Sequence, residues 1–154
     1  MVARDIMTAD VVTLREDATA ADAATLLLGS LHDGVPVVGA EGQVVGVVSY
    51  EELIRLALPG YLDQVDLSFL PASAEFFPVQ ANAEIGQTPV TSLMCRESHL
   101  VVGPDEPVAE VARLMLSRGV RRVVVVEGGR LVGIIGQGDI VRALVAPLVQ
   151  PNTE

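Results

Sequence analysis

The fold is decided by a stretch of sequence that the chain contains twice. The first copy reads Gly34-Val35-Pro36-Val37-Val38, then a turn, then Gly46-Val47-Val48-Ser49-Tyr50-Glu51-Glu52, and the second copy ends in Gly133-Ile134-Ile135-Gly136-Gln137-Gly138-Asp139. An offset of 87 or 88 residues aligns the copies and pairs Met7 with Met94 and Gly46 with Gly133. A duplicated unit of this kind predicts a two-lobed body with a cleft between the lobes.

Each copy predicts the same order of elements, which is an extended segment, a helix, two strands and a second helix. In the first copy we expect helices at residues 20–31 and 49–58, and between them two β-branched strands joined by a glycine-containing turn. In the second copy the helices are expected to begin near Pro107 and at Asp139. The strands are apolar on both faces, so each sheet should be covered by helices on one face and by the sister sheet or a ligand on the other.

These patterns predict an α/β (α+β) fold in which two tandem repeats, each a small sheet with two helices, pack into one pseudo-twofold module. The expected boundaries are residues 1–58 for the first repeat, 59–88 for an aromatic-containing insertion, 89–147 for the second repeat and 148–154 for a tail. At 154 residues, half of them hydrophobic, the chain can bury one good core, which the two halves would share.

Charge is distributed unevenly along the chain. The net charge is −10, all ten basic residues are arginine, and residues 1–56 hold nine acids against three arginines. This acidic surplus argues against nucleic-acid binding, because phosphates need a basic surface. Arg118, Arg121 and Arg122 lie close together in the second copy, and such a cluster could bind an anionic small ligand.

The sequence carries no membrane or secretion signal and little that suggests catalysis. No apolar run approaches the ~18 residues of a membrane helix, and Asp5 and Asp10 lie where a signal peptide would be apolar. We therefore expect a soluble, cytoplasmic protein that binds no membrane. Cys95, the lone cysteine, cannot form an internal disulfide, and with Glu97 and His99 it offers too few ligands for a metal site. We expect neither enzyme activity nor a metal or cofactor.

The duplicated motifs resemble those of a pair of CBS domains, the tandem module named after cystathionine β-synthase. In the first copy the resemblance is carried by Asp5-Ile6-Met7-Thr8 and by residues 34–38 and 46–52, and in the second by residues 101–105, 119–122 and 133–139. The resemblance implies a regulatory module that binds an adenosine-containing ligand, such as AMP, ADP, ATP or S-adenosylmethionine, in the cleft between the repeats. It also implies a homodimer that signals the occupancy of the cleft to a partner.

The resemblance further implies the binding residues, since the family motif has Ser or Thr followed three residues later by Asp. The first copy has Ser49 with Glu52 in place of Asp, and the second has Asp139 with Gly136 in place of the hydroxyl. The second-copy site is favoured, because Asp139 is the residue of the family motif, whose carboxylate can accept both ribose hydroxyls, and because Arg121 and Arg122 could meet the phosphates. Including a hydroxyl near the sugar and base and two arginines near the phosphates, the expected ligand-binding residues are Asp139, Arg121, Arg122, Thr13, Ser49, Glu52 and Gly136.

Structural interpretations of the same residues remain open. Ser49 and Glu52 also have the spacing of a helix capping box, and Asp139 could be a first-turn acid favoured by the helix dipole. Arg121 and Arg122 alternate along a strand, so at most one of them is expected to meet a phosphate. The alternative function is a structural or protein-docking dimerisation module with degenerate nucleotide sites.

Residues 59–88 hold four of the five aromatic residues of the chain, which are Tyr61, Phe69, Phe76 and Phe77. The piece from Tyr61 to Leu70 has the spacing of a short amphipathic helix. Either this insertion packs on its own module, or it acts as a lid or as a docking segment for a protein partner.

Overall fold

The computed structural model describes residues 1–30, 32–58, 68, 83–96 and 100–148. In chain order the elements are α1 (Ala3–Ile6), β1 (Leu14–Arg15), α2 (Ala20–Leu28), β2 (Gly34–Val38), β3 (Val44–Ser49), α3 (Tyr50–Ala57), α4 (Ala83–Gly86), α5 (Val90–Leu93), β4 (Leu100–Val102), α6 (Val108–Arg118), β5 (Arg122–Glu127), β6 (Arg130–Gly136), α7 (Gln137–Leu144) and a 3₁₀ turn (Ala146–Leu148). The amphipathic helix expected from Tyr61 to Leu70 falls outside the described residues, apart from Ser68.

The two halves of the chain form the same mixed sheet. Strand β1 runs parallel to β2 and β2 runs antiparallel to β3, and strands β4, β5 and β6 repeat this arrangement. The strand register shifts between Val37 and Val38 in one hairpin and between Val125 and Val126, their equivalents, in the other. The duplicated α/β fold predicted from the sequence is confirmed.

Helix ends follow from local side-chain chemistry and from glycine. At the start of α2 the Thr19 hydroxyl accepts the Asp22 N–H at 3.3 Å, and the Asp22 carboxylate accepts the Thr19 N–H at 2.9 Å. Helix α6 ends at Gly119, whose φ of +64° is a conformation that glycine adopts without steric cost. With 11 residues α6 is the longest of the described helices, and none of them is long and apolar enough to span a bilayer.

Helix α2 is shorter than predicted. It ends at Leu28 instead of continuing to residue 31, which itself lies outside the described part of the chain. Gly29 and Ser30 follow, and the Ser30 hydroxyl accepts the His32 N–H at 3.1 Å. Such a local bond to the backbone competes with the helical hydrogen bond, so the chain turns here and enters β2.

The leading segments of the two repeats are exchanged, a feature that the sequence analysis did not predict. Helix α1 begins the first repeat but packs into the core of the second, where Ala3 is fully buried beside the side chains of β4, β5 and α6. Helix α5 begins the second repeat but contributes Val90 and Met94 to the core of the first. Each structural core therefore combines residues from both sequence repeats.

Backbone pairing holds each exchanged segment against the last strand of the other sheet. Thr8 and Ile134 each donate an N–H to the other's carbonyl, at 2.9 and 3.1 Å. Their equivalents Cys95 and Val47 do the same, at 2.9 and 3.0 Å. The pairing brings Thr8 of the first repeat beside the end of β6, next to the start of α7.

The duplicated glycines of the two sheets are explained by this exchange. A Cβ atom on Gly46 would lie 2.6 Å from Met94 Sδ and 3.2 Å from the Cys95 carbonyl oxygen. A Cβ atom on Gly133 would collide in the same way with the side chain of Met7. The methionine of each leading segment thus occupies the space that a side chain on the opposite sheet would need.

Candidate functional site

Two cavities lie where the repeats meet, one beside the start of each final helix. The first, which we name the α3 cleft, has a volume of about 720 Å³ and is lined by Ser49, Tyr50 and Glu51 together with residues 119–122. The second, the α7 cleft, has a volume of about 620 Å³ and is lined by residues 136–139 together with Thr8 and His32. Both volumes fall within the range of small-molecule sites.

A smaller apolar cavity adjoins the α7 cleft. It has a volume of about 300 Å³ and shares Thr8 and His32 with that cleft. Its aliphatic walls are Val11, Val12, Val35 and Ile134. We name it the side pocket. Polar groups of the α7 cleft and an aliphatic pocket therefore lie next to each other.

Asp139 is held firmly in the wall of the α7 cleft. It is the third residue of α7, its Oδ2 accepts the Gly136 N–H at 2.8 Å, and its Oδ1 accepts a bond from Arg142 at 2.5 Å. Only 7% of the residue is exposed, whereas 72% of the Arg142 side chain is exposed. An ionised carboxylate has about four acceptor positions, so Asp139 can accept further bonds from a ligand.

Gly136, at the N-terminus of α7, leaves room for a side chain. A Cβ atom placed on it would lie 3.8 Å from Asp139 Oδ2 and 3.9 Å from His32 Nδ1, both ordinary contact distances. Its φ of −99° suits any residue. As glycine, however, it provides no hydroxyl to cap the helix or to contact a ligand.

Ser49 and Glu52 are engaged with each other at the start of α3. The Glu52 carboxylate accepts the Ser49 backbone N–H at 2.7 Å and also a bond from the Ser49 hydroxyl. Ser49 is 7% exposed and lines the α3 cleft, whereas Glu52 is not among the described residues of that wall. The geometry is that of a helix N-terminus stabilised by a third-residue acid.

Arg121 and Arg122 face different surroundings. Arg122 donates to Asp33 Oδ1 at 3.1 and 2.8 Å, its side chain is 17% exposed, and it lines the α3 cleft, not the α7 cleft that contains Asp139. Arg121 is exposed and lines both clefts, and no carboxylate of the described residues forms an ion pair with it. Only one of the two arginines is thus placed beside Asp139.

Two shifted pKa values belong to an exposed ion pair on α6, outside both clefts. On α6, hydrogen bonding from Arg113 lowers the pKa of Glu110 and in turn raises that of Arg113. Across the described ranges no group of three or more histidine, cysteine or acidic side chains is placed to hold a metal ion.

A sequence profile of the CBS domain matches residues 3–58 and, a second time, residues 90–146. The chain belongs to the CBS domain family. Its two matched segments are the two halves that form the sheets described above, so the chain is a CBS domain pair.

Relatives of known sequence agree with this membership. Protein MJ1426 of Methanocaldococcus jannaschii is 30% identical over 94% of this chain and 92% of its own length. The CBS domain-containing protein CBSX2, chloroplastic, of Arabidopsis thaliana is 32% identical over 79% of this chain. This chain spans 53% of that relative, about half of its length.

Solved structures show the same architecture. A crystal structure of CBSX2 in complex with AMP has a TM-score of 0.71 and 26% identity, and the match covers 96% of this chain and 98% of that one. The CBS domain of a CBS domain-containing membrane protein from Sphaerobacter thermophilus has a TM-score of 0.72 and 27% identity, covering 94% and 88%. The CBS domain pair fold is thus shown by both sequence and structure.

Thr8, His32 and Asp33 are among the cleft residues that were not singled out from the sequence. Thr8 reaches the α7 cleft through the exchanged segment, and His32 and Asp33 reach it from the turn that precedes β2. Asp33 is the equivalent of Arg121 at an offset of 88 residues, so the internal alignment could have drawn attention to it. Thr13 is half-buried just before β1, and the described wall of the side pocket includes Val11 and Val12 but not Thr13.

Proposed function

We propose that this CBS domain pair is a regulatory module that binds an adenosine nucleotide in its α7 cleft and signals the occupancy to a partner. The observation that carries the proposal is the position of Asp139. This nearly buried carboxylate lies in the wall of an open cleft between repeats, next to an aliphatic pocket.

The ribose would bind at Asp139. The carboxylate already accepts one backbone N–H and one arginine N–H, and its remaining lone pairs can accept the two neighbouring ribose hydroxyls. Bonds to an ionised acceptor are stronger than neutral ones, and their strength increases where water is excluded. Because Arg142 is largely exposed, it can move aside for the sugar without disturbing a packed core.

The base and the phosphate would bind on opposite sides of Asp139. The side pocket offers Val11, Val35 and Ile134 as aliphatic surfaces against which a planar base can pack. At the other side, Arg121 carries a charge that the described residues leave uncompensated. A phosphate also matches the start of α7, where Gly136 provides no side chain to cap the N–H groups.

A structural relative with a bound nucleotide supports an adenosine ligand. The solved structure of CBSX2, at 26% identity over 96% of this chain, is a complex with AMP. Since the α7 cleft combines Thr8 and His32 of the first repeat with α7 of the second, a ligand there contacts both halves. Such a ligand can shift the relative position of the repeats by as much as its affinities for the two arrangements differ.

A homodimer belongs to the same proposal. Helix α7 and the following turn expose Val141, Leu144 and Leu148, at 51, 41 and 81%, and α3 exposes Ile54, the equivalent of Val141, at 57%. Equivalent apolar positions on two helices related by a pseudo-twofold suit a second copy of the chain. Sedimentation equilibrium tests this. The parent chain should show twice the monomer mass of 16.2 kDa, and the Val141→Glu variant should show the monomer mass.

The nucleotide proposal is tested by thermal unfolding with AMP, ADP, ATP, S-adenosylmethionine and GMP. At a concentration one hundred times its Kd, a bound ligand adds about 2.7 kcal/mol to the free energy of unfolding, which raises Tm by several degrees. We expect this increase with an adenosine compound and not with GMP. The Asp139→Asn variant should lower the affinity at least tenfold, because it removes the charge but keeps an acceptor for the Gly136 N–H.

The matched control is Asp105→Asn. Asp105 pairs with Arg4 at 2.9 Å, its side chain is 80% exposed, and it lies outside both clefts. The control makes the same change of charge and should bind nucleotide as the parent does. Equal affinity in the Asp139→Asn variant would contradict the assignment of the ribose site.

The second candidate function is a structural or protein-docking module with degenerate sites. The observation that favours it is that the motif residues already have hydrogen-bond partners within the chain. Glu52 accepts bonds from Ser49, and both carboxylate oxygens of Asp139 accept bonds from neighbouring residues. Unchanged Tm with every compound would support this candidate. Deletion of residues 61–78, which fall almost wholly outside the described residues, would then test whether the insertion binds the partner.

A further inference from the structure

The α3 cleft and the α7 cleft share one stretch of wall. Asp33 and Arg121 line both cavities, and they occupy equivalent positions in the two repeats. A strictly symmetric pair of repeats would place two like residues here. This chain instead places one acid and one arginine between its two clefts.

The other arginines of the two clefts are already neutralised. In the α3 cleft Arg122 pairs with Asp33 at 2.8 Å and Arg55 pairs with Glu51 at 2.7 Å. In the α7 cleft Arg142 pairs with Asp139 at 2.5 Å. An anionic ligand gains little from a cation that a carboxylate already neutralises.

Arg121 differs from these arginines, because no carboxylate among the described residues pairs with it. A guanidinium group carries a single positive charge, so a phosphate bound to it from one cleft neutralises the charge that a phosphate in the other cleft would need. If Arg121 turns into the α7 cleft, the α3 cleft keeps only paired arginines, and the reverse orientation leaves the α7 cleft in the same state. The two clefts therefore cannot both hold a phosphate against a free cation.

We propose that the two clefts compete for Arg121, so that the chain binds one phosphate-bearing nucleotide at a time. This inference rests on the proposed function. It makes the pair a one-ligand sensor, although it contains two clefts of similar volume. It also assigns Asp33 a role. Because this carboxylate is paired with Arg122, the α3 cleft has no unpaired cation of its own.

The test counts the AMP molecules bound per chain by isothermal titration calorimetry and by equilibrium dialysis with labelled AMP. The full chain should bind one AMP. Asp33→Asn should bind two, because it frees Arg122 for the α3 cleft while Arg121 serves the α7 cleft. The control Asp105→Asn, with the same loss of charge at a residue that lines neither cleft, should still bind one.

A second variant keeps the test valid if Asp33→Asn folds poorly. Arg121→Gln should weaken AMP binding roughly ten- to hundredfold, the worth of one charge-assisted hydrogen bond. It should leave the affinity for adenosine unchanged, because adenosine carries no phosphate. Arg118→Gln is the matched control, since Arg118 is exposed at the end of α6, lines neither cleft and should bind AMP as the parent does.

The outcomes separate this inference from the function on which it rests. Two AMP molecules bound independently by the parent chain would overturn the inference and leave the nucleotide function intact. A single AMP in Asp33→Asn, or unchanged AMP affinity in Arg121→Gln, would likewise overturn the inference alone. Absence of AMP binding in every protein, parent included, would overturn both.

Discussion

At the scale of single residues, each copy keeps one half of the motif that the sequence analysis predicted to bind a ligand. The first keeps the hydroxyl as Ser49 but has Glu52, and the second keeps Asp139 but has Gly136. The longer Glu52 side chain accepts bonds from both the N–H and the hydroxyl of Ser49. Asp139 lies in the wall of the α7 cleft with lone pairs to spare. Glu52 and Asp139 differ by one methylene group, and their carboxylates lie in different surroundings.

The first prediction concerns Gly136→Ser, which restores the missing hydroxyl beside Asp139. The new Cβ atom would lie 3.8 Å or more from its neighbours, and the backbone needs no change. We expect AMP affinity to rise several-fold, and the free energy of unfolding to rise by a few tenths of a kcal/mol because serine caps a helix slightly better than glycine. Calorimetry and urea unfolding measure the two effects.

The control for this change is Gly103→Ser, because a Cβ atom on Gly103 meets nothing within 4 Å and Gly103 lies outside both clefts. It should alter neither quantity. Unchanged AMP affinity in Gly136→Ser would contradict the site. A fall in AMP affinity would contradict the role given to the hydroxyl, since it would mean that the ligand needs the space that the glycine leaves empty.

At the scale of elements, the short helices α1 and α5 matter more than their four residues each suggest. Isolated helices of this length are not stable, so packing on the other repeat must hold them. Ala3, Val90 and Met94 supply that packing as buried members of the two cores. The sheets in turn need glycine at positions 46 and 133, because a side chain there would collide with Met94 or Met7 of these segments.

The second prediction is that Gly46→Ala destabilises the protein by about 1–3 kcal/mol, the usual cost of overpacking a core. The added methyl group meets Met94 Sδ at 2.6 Å and the Cys95 carbonyl oxygen at 3.2 Å, and the carbonyl belongs to a backbone that cannot swing away. Urea unfolding measures the change, with Gly103→Ala as the control. Equal stability of the two variants would show that the leading segment adapts freely.

At the scale of the whole molecule, the exchange joins the repeats into one cooperative unit. The first core needs Val90 and Met94 from the second repeat, and the second core needs Ala3 from the first. Neither half can therefore bury its sheet without the other. The clefts, which combine residues of both repeats, depend on the same association.

The third prediction is a single unfolding transition. Urea unfolding followed by circular dichroism, which reports both repeats, and by fluorescence of Tyr50 in the first repeat of a Tyr61→Phe variant should give coincident curves. The Tyr50 hydroxyl donates to the Leu27 carbonyl at 2.8 Å, so its signal reports the packing of α3 on α2. Two separated transitions would contradict the shared-core interpretation.

The sequence by itself determined the duplicated α/β architecture and the membership in the CBS domain family. Hydrophobic periodicity, glycine-containing turns and proline positions act over a few residues, so they can be interpreted without the fold. Asp139 and Arg121 were predicted as site residues for the same reason, since their motifs are local. The paired glycines and methionines were visible as well, but not their contact, because the partners are separated by 48 and 126 residues in the chain.

Only the tertiary structure decided which residues meet across the two repeats. Residues distant in sequence meet in three places. Helices α1 and α5 pack on the opposite repeat, Thr8 lines the α7 cleft, and Arg122 pairs with Asp33. Such contacts depend on the packing of two sheets and on charges that meet between them, and no local pattern encodes them. For this reason the sequence analysis named both arginines and expected at most one of them to meet a phosphate, without deciding which. The fold places Arg121 in the wall that the two clefts share and Arg122 in the α3 cleft alone.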